Sequence, residues 1–351
     1  MRPARTEGVD VTKESGIDDV GALLAGIARR LNCAGHRETI GEARRPGGYS
    51  GRFLKQVVSD PDRFFAQCWD RQVTLSRGVV PEGLFSSADA QRLLSYGGLR
   101  YPEVRMVKDR ASVPNEAYMS DRALGYTRVT SVIDHRRVDA LVGQGATRLF
   151  QGIRRFWEPI DVFAAGLEAD LGAPVQATVF YTPANGSGIP KHHDLHSVFV
   201  MQLEGARRWT YADTYTGRRP SAHVDPDSIS DDSLAGEAVL EQGDCLYIPR
   251  GTPHLAHVVP GQDSLHLTLS LRDAPTVADL AGALVAALIE DDVAYDRTIP
   301  APYDPADVQL QSQLGECLKQ TFARLSQIPA EELTRMARAA TQQVLSEPEA
   351  A

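Results

Sequence analysis

Between Val175 and Leu271 the chain runs as short segments rich in β-branched and aromatic residues, VQATVFYTP, HSVFVMQLEG, RRWTYADT, EAVLEQGDCLYIPRG, PHLAHVV and SLHLTLSL, separated by Gly, Pro, Asn or Asp. Side chains branched at Cβ suit a pleated, half-buried surface, and the separating residues are turn formers. Many short strands at this spacing predict a sandwich or barrel rather than a parallel α/β sheet. The fold class expected is therefore mainly β with added helices.

The flanking sequence has a different texture. DPDRFFAQCW begins with an Asp followed by Pro, an N-cap and first-turn pattern, and LFSSADAQRLL repeats it with Ser86 or Ser87 as cap. TRLFQGIRRFWEPIDVFAAGLEADLG reads as a strand-like start and then a helix, with Ile160, Phe163, Leu167 and Leu171 on one face and Gly172 as its stop. After Arg272, TVADLAGALVAALIEDD, DPADVQLQSQLGECLKQTFARL and PAEELTRMARAATQQVL read as amphipathic helices. Near the start, IDDVGALLAGIARRL is one helical patch in an otherwise linker-like stretch. The domain division expected is a flexible segment over 1–55, the β domain with its covering helices over 56–272, and a helical unit over 273–351.

With 351 residues, more than one structural unit is expected, and a net charge of −9 with no run of Lys and Arg argues against direct nucleic-acid binding. No apolar run approaches the roughly 20 residues needed to span a bilayer, and the N-terminus lacks the apolar core of a signal peptide. The four cysteines, Cys33, Cys68, Cys245 and Cys317, form no CxxC pair, so they read as reduced thiols of a cytoplasmic protein.

The chemistry concentrates in KHHDLHSVFVMQLEG, where three histidines and one aspartate occupy five consecutive positions, 192–196. If this stretch begins a strand, alternation puts His192 and Asp194 on one face and His193 on the other. Adding His196 would stretch the set over roughly 13 Å at ~3.3 Å per residue, too long for one ion. A third ligand has to come from elsewhere, and GDCLYIPRGTPHLAHVV offers His254 and His257, with the strand and PRGTPH bend presenting His254 at the inner mouth of the sheet. Two histidines and one carboxylate leave open positions on an octahedral ion, the arrangement of non-haem Fe(II) oxygenases.

In order and spacing, VQATVFYTPANGSGIPKHHDLHSVFVMQLEGARRW, LEQGDCLYIPRGTPHLAH and SLHLTLSL resemble the cupin-4 branch of the JmjC-domain family, which includes the bacterial ribosomal oxygenases. The resemblance covers roughly residues 60 to 300. It implies a double-stranded β-helix (jelly roll), with Fe(II) held by His192, Asp194 and His254, and with 2-oxoglutarate and O₂ as co-substrates. By the same resemblance Arg207, two places after the glycine of QLEG, binds the distal carboxylate of 2-oxoglutarate, a contact that a guanidinium fork suits. His266 and Ser270, four apart on one strand and so on one face, match polar positions around the co-substrate, and Thr178 stands where family members often carry asparagine. Lys191 and His193 stand where Pro and an aromatic are more usual; they read either as lining of the substrate entrance or, more simply, as exposed loop positions.

The resemblance further implies a hydroxylase acting on a side chain of a protein or peptide, and a homodimer formed through the C-terminal helices. The alternatives are a non-catalytic cupin that binds or regulates, a zinc-dependent cupin isomerase, and an oxygenase of a small molecule. Tyr118, Arg122 and Tyr126, in RMVKDRASVPNEAYMSDRALGY, are candidate substrate contacts by location alone.

Overall fold

The structure is a computed structural model that describes residues 51–212, 229–272 and 308–333, together with the single positions 282, 285 and 335. Two compact units divide the chain, one of which is Arg44–Ala274. Its strands in chain order are β1 (Thr74–Ser76), β2 (Val104–Lys108), β3 (Ala111–Ser112), β4 (Met119–Leu124), β5 (Thr127–Ile133), β6 (Thr147–Gln151), β7 (Val175–Thr182), β8 (Ser197–Tyr211), β9 (Gly236–Glu241), β10 (Cys245–Ile248), β11 (His254–Val258) and β12 (Ser264–Leu271). Its main helices are α1 (Ser87–Ser95), α2 (His135–Gly143) and α3 (Glu158–Leu171). In the other unit the described helix is α4, Val308–Gln327. The helices expected over IDDVGALLAGIARRL and TVADLAGALVAALIEDD fall outside the described residues, apart from single helical positions at Gly282 and Val285.

The strand order is β1-β10-β8-β12-β7-β6-β2-β3, with β9 and β11 also paired to β8. Every one of these pairings is antiparallel. Strand β8 belongs to two sheets. Its first part pairs with β10 and β12, and Ala206–Tyr211 pair with β9, with β11 on the other edge from Arg207 onward. The changeover falls at Gly205, which has φ +65°, and a Cβ there would lie 1.9 Å from the Asp263 carbonyl oxygen. Only glycine fits a turn that is both left-handed and this tight against a neighbouring backbone.

Side-chain alternation on these strands is sharp. On β12, Leu265, Leu267, Leu269 and Leu271 join the principal core, while His266, Thr268 and Ser270 line a cavity on the opposite face. On β7, Val175, Ala177 and Val179 do the same against Thr178, Phe180 and Thr182. The apolar face of the large sheet is thus covered by helices, and its polar face looks inward. A smaller apolar cluster of Val198, Val200, Trp209, Leu240, Leu246 and Ile248 packs on that inner side.

The covering helices form for local reasons. In α1 the Ser86 side chain accepts from Asp89 N while the Asp89 carboxylate accepts from Ser86 N, a complete capping box. Asp60 caps the turn that opens at Pro61 by accepting from Arg63 N. Helix α3 buries Ile160, Phe163, Ala164 and Leu167 and stops at Gly172, φ +70°. Burying each large apolar side chain contributes about 1.5–3 kcal/mol, so this face alone secures the helix on the sheet. Near its end Asp170 accepts from Phe53 N and Leu54 N, which ties the chain entering the domain to the helix. The segment 104–133, most of which (105–126) carries no decodable signal in the sequence, contains β2 to β5; β4 and β5 form a separate two-stranded hairpin.

Candidate metal and co-substrate site

The stretch 189–196 is not a strand. Strand β8 starts only at Ser197, and before it the chain is irregular apart from a bridge in which His192 N donates to His254 O (3.1 Å) and His254 N donates to His192 O (2.8 Å). The backbones of the two histidines are therefore fastened to each other directly. Gly251 N donates to Asp194 O at 2.8 Å, which fixes the aspartate against the turn that precedes His254. The alternation argument grouped His192 with Asp194, and it is this loop bridge, not a strand, that brings His254 to them.

His192, Asp194 and His254 place one donor atom each within 4.8 Å of one another. Asp194 sits between the imidazoles, with Oδ1 3.7 Å from His192 Nε2 and Oδ2 3.7 Å from His254 Nε2. Each imidazole presents its Nδ1 to a backbone oxygen: His192 Nδ1 lies 2.9 Å from Pro190 O, and His254 Nδ1 lies 2.9 Å from Thr252 O. A carbonyl can only accept, so both Nδ1 atoms carry a proton, which leaves each Nε2 turned toward the carboxylate as the ring's metal-binding nitrogen. Burial, followed by the nearness of His192, depresses the pKa of His254 to about 4, which keeps its ring neutral at ordinary pH. Two imidazoles and one carboxylate converging on a point are the donor set of a divalent transition metal. His196 and His257 are outside the cluster. His257 faces away from His254 on β11, with Nε2 3.2 Å from Thr210 Oγ1.

The cluster opens into a cavity of about 120 Å³, lined among others by Thr178, Arg207, His266 and Ser270. Arg207 is 1% exposed. Its Nη2 donates to Ala256 O at 3.2 Å, whereas Nε and Nη1 are buried without a partner among the described residues. Burial lowers its pKa to about 10, and among the described residues no carboxylate pulls it back. Gly188, at φ +72°, packs against this group, and a Cβ there would lie 2.2 Å from Arg207 Nη2. His266 stacks on Phe180 with ring centroids 4.9 Å apart, and its pKa falls to about 3 through burial and then through Arg207. Thr178 faces Thr268 across the β7–β12 ladder, so two hydroxyls stand side by side on the cavity wall. All seven site residues expected from the sequence thus surround one cavity.

Three expectations are corrected. His193 is buried, not an exposed loop residue, and Lys191 is largely covered and bonded to Asp231 at 2.8 Å. Tyr118 cannot be a surface contact, being 1% exposed with its hydroxyl donating to Asn115 Oδ1. Tyr126 is fully exposed at the tip of the β4–β5 hairpin, and neither it nor Arg122 lines the cavity. The sequence reading also passed over Trp209, Phe180 and the buried pair Thr147–Thr182, whose hydroxyl oxygens lie 3.1 Å apart. Stepping by two along β7 from Thr178 and along β8 from Arg207 would have found Phe180, Thr182 and Trp209.

Comparison with known proteins agrees with this geometry. Residues 150–280 match the family model described as JmjC domain. Human ribosomal oxygenase 1 is 29% identical over 320 residues, covering 86% of this chain and 46% of that protein. Rat ribosomal oxygenase 2 is 29% identical over 265 residues, covering 71% of this chain and 54% of that protein. The chain spans about half the length of these curated relatives. The X-ray structure of E. coli ycfD superposes with a TM-score of 0.50 at 18% identity, over 80% of this chain and 71% of that one, which shows a shared fold. The stretch that matches the JmjC-domain model, residues 150–280, is the one that carries the His-Asp-His cluster and the buried arginine.

Proposed function

We propose that the protein is an Fe(II)- and 2-oxoglutarate-dependent hydroxylase of a protein or peptide side chain. The observation that carries this reading is Arg207, a buried guanidinium with two nitrogens unpartnered and no carboxylate beside it among the described residues, in the same cavity as three side chains that could hold a metal. A buried cation without a partner is costly, and a site that keeps one is complementary to an anion. When bound, iron(II) with 2-oxoglutarate and O₂ supplies the oxidising power that turns a C–H bond into C–OH while 2-oxoglutarate becomes succinate and CO₂.

The chain's own residues do the rest. His192, Asp194 and His254 would hold the metal, and three protein donors would leave room for co-substrate and O₂. Arg207 anchors the far carboxylate, and the Thr178, Ser270 and His266 side chains line the space between. The packed leucines of β12 and the apolar cluster beneath Val198 and Val200 keep bulk water away from the reacting centre.

A protein substrate is favoured by the names of the relatives, which are called ribosomal oxygenases. A net charge of −9 complements a basic ribosomal protein or peptide through long-range attraction. On this reading the protein is cytoplasmic, and residues 273–351 form a dimerisation region. Leu314 and Leu318, one turn apart on α4, are each nearly half exposed, which supports an apolar seam for a second copy. No helix among the described residues is long and apolar enough to cross a membrane.

The test is succinate formation from 2-oxoglutarate with Fe(II) and O₂, comparing wild type with His192→Ala. Turnover in the wild type and none in the variant, with a 16 Da gain on a ribosomal protein or peptide, would establish the reading. If the metal-loaded wild type neither turns over nor binds 2-oxoglutarate, the chain is a binding cupin.

A further inference from the structure

Strand β8 runs past both ends of the cavity. Tyr211 pairs with His254, Trp209 with Ala256 and Arg207 with Val258. Arg207 and Trp209 alternate onto the same inner face, and both line the cavity. Trp209 therefore stands two residues, or about 7 Å, from Arg207 and the same distance from the position opposite the third ligand of the cluster. Its ring centroid lies 5.8 Å from that of His254 and 5.6 Å from that of His266, the latter edge to face. The indole thus lies beside His254 and His266, on a strand position between Arg207 and the residue opposite His254.

Trp209 is 5% exposed, and its Nε1 is buried without a hydrogen-bond partner among the described residues. An indole N–H only donates, and a buried tryptophan ordinarily finds an acceptor for it. The Arg207 nitrogens Nε and Nη1 are unpartnered in the same cavity, as is His266 Nδ1. What would satisfy a neutral donor on this wall is a ligand that carries acceptor oxygens between the metal and the arginine.

We propose that the Trp209 indole N–H is a co-substrate donor: it hydrogen-bonds a carboxylate oxygen of 2-oxoglutarate and positions the dicarboxylate between the His192–Asp194–His254 cluster and Arg207. The inference rests on the co-substrate reading given above. Trp209 touches the co-substrate and is not a metal ligand, so its N–H governs co-substrate affinity without governing metal affinity.

The experiment uses the full chain loaded with zinc, which binds the same donors without oxidation chemistry, and 2-oxoglutarate titrated by calorimetry. Trp209→Phe keeps an aromatic ring against His254 and His266 and removes only the donor. The expected result is about a tenfold rise in the 2-oxoglutarate Kd, the effect of one hydrogen bond to a charged group, with zinc affinity unchanged. In parallel, wild type labelled with ¹⁵N-tryptophan carries three indoles, Trp69, Trp157 and Trp209. The Trp209 signal, assigned by its loss in Trp209→Phe, or by elimination with Trp69→Phe and Trp157→Phe should that variant not fold, is expected to shift when 2-oxoglutarate is added.

An unmoved Trp209 signal, or wild-type 2-oxoglutarate affinity in Trp209→Phe while Arg207→Ala loses binding, would overturn the Trp209 assignment and leave the co-substrate reading standing. Equal losses of zinc and 2-oxoglutarate affinity in Trp209→Phe would overturn it as well, because they mark simple packing beneath His254. If zinc-loaded wild type binds no 2-oxoglutarate, the co-substrate reading fails and this inference fails with it.

Discussion

Replacing Arg207 by methionine should separate stability from function. In the free protein the guanidinium is 1% exposed, and burial holds its pKa near 10, against an ordinary 12.5. A depression of that size corresponds to roughly 3 kcal/mol of disfavoured charged form at about 1.4 kcal/mol per unit. The sign is that of a cation whose folded pKa is lowered: the cost is fully present below about pH 10 and is relieved only as the pH rises from there towards 12.5. Methionine removes this cost, keeps most of the apolar stem, and loses one hydrogen bond to Ala256 O worth about 1 kcal/mol. Allowing a further ~1 kcal/mol for imperfect filling of the space, the metal-free variant should be more stable than wild type by about 1 kcal/mol. That is a Tm rise of roughly 2–4 °C for a domain of this size. The same variant should lose 2-oxoglutarate affinity by a hundredfold or more, because truncating one partner of a buried charge pair costs about 2–5 kcal/mol. Thermal melting of metal-free protein and calorimetry of metal-loaded protein read the two effects separately. A Tm several degrees below wild type would refute the reasoning, since it would mean that Arg207 has a structural counter-charge in the free protein.

Gly188→Ala should weaken 2-oxoglutarate binding at least about tenfold, because its Cβ would displace Arg207 Nη2 and its φ of +72° strains any other residue; calorimetry checks it. His266 titrates near 3 when folded, so between about pH 6.5 and 3 it remains neutral in the folded chain while the unfolded chain binds a proton. Its contribution to stability is therefore complete above pH 6.5 and falls by on the order of 2 kcal/mol by pH 5. Urea melts at pH 7 and pH 5 should accordingly show a smaller pH-dependent loss for His266→Phe than for wild type. Asp244 is buried in the β9–β10 turn and accepts from Arg77 Nη1, Gly78 N and Glu241 N. Asp244→Ala should destabilise the fold by about 3 kcal/mol in chemical denaturation, because it removes three hydrogen bonds of about 1 kcal/mol each from the turn.

The β core was legible because both of its periodicities are written in the chain. Alternation of leucine with His266, Thr268 and Ser270 on β12, and of Val175, Ala177 and Val179 with Thr178 and Phe180 on β7, specifies strand and face together. The nearness of His192 and Asp194 was legible for a partly mistaken reason: spacing by two places them on one side of an extended stretch, whether or not a ladder flanks it. The bridge between His192 and His254 could not be read, because it joins residues far apart in sequence through main-chain atoms that every residue carries. The β4–β5 hairpin escaped notice because MSDRAL and TRVTSVI are mostly solvent-facing and lack a clean apolar alternation. The burial of His193 and Tyr118 depends on which distant elements pack over them, and local sequence does not encode that.

The most direct test of the central claim, that one metal cluster and one buried arginine grip a single co-substrate between them, is anaerobic titration of Fe(II)-loaded protein with 2-oxoglutarate, followed by visible absorbance. The account expects a metal-to-ligand charge-transfer band that saturates in wild type, requires far more 2-oxoglutarate in Arg207→Met, and is absent in Asp194→Ala. No band in wild type, or a band whose midpoint is indifferent to Arg207, would contradict it.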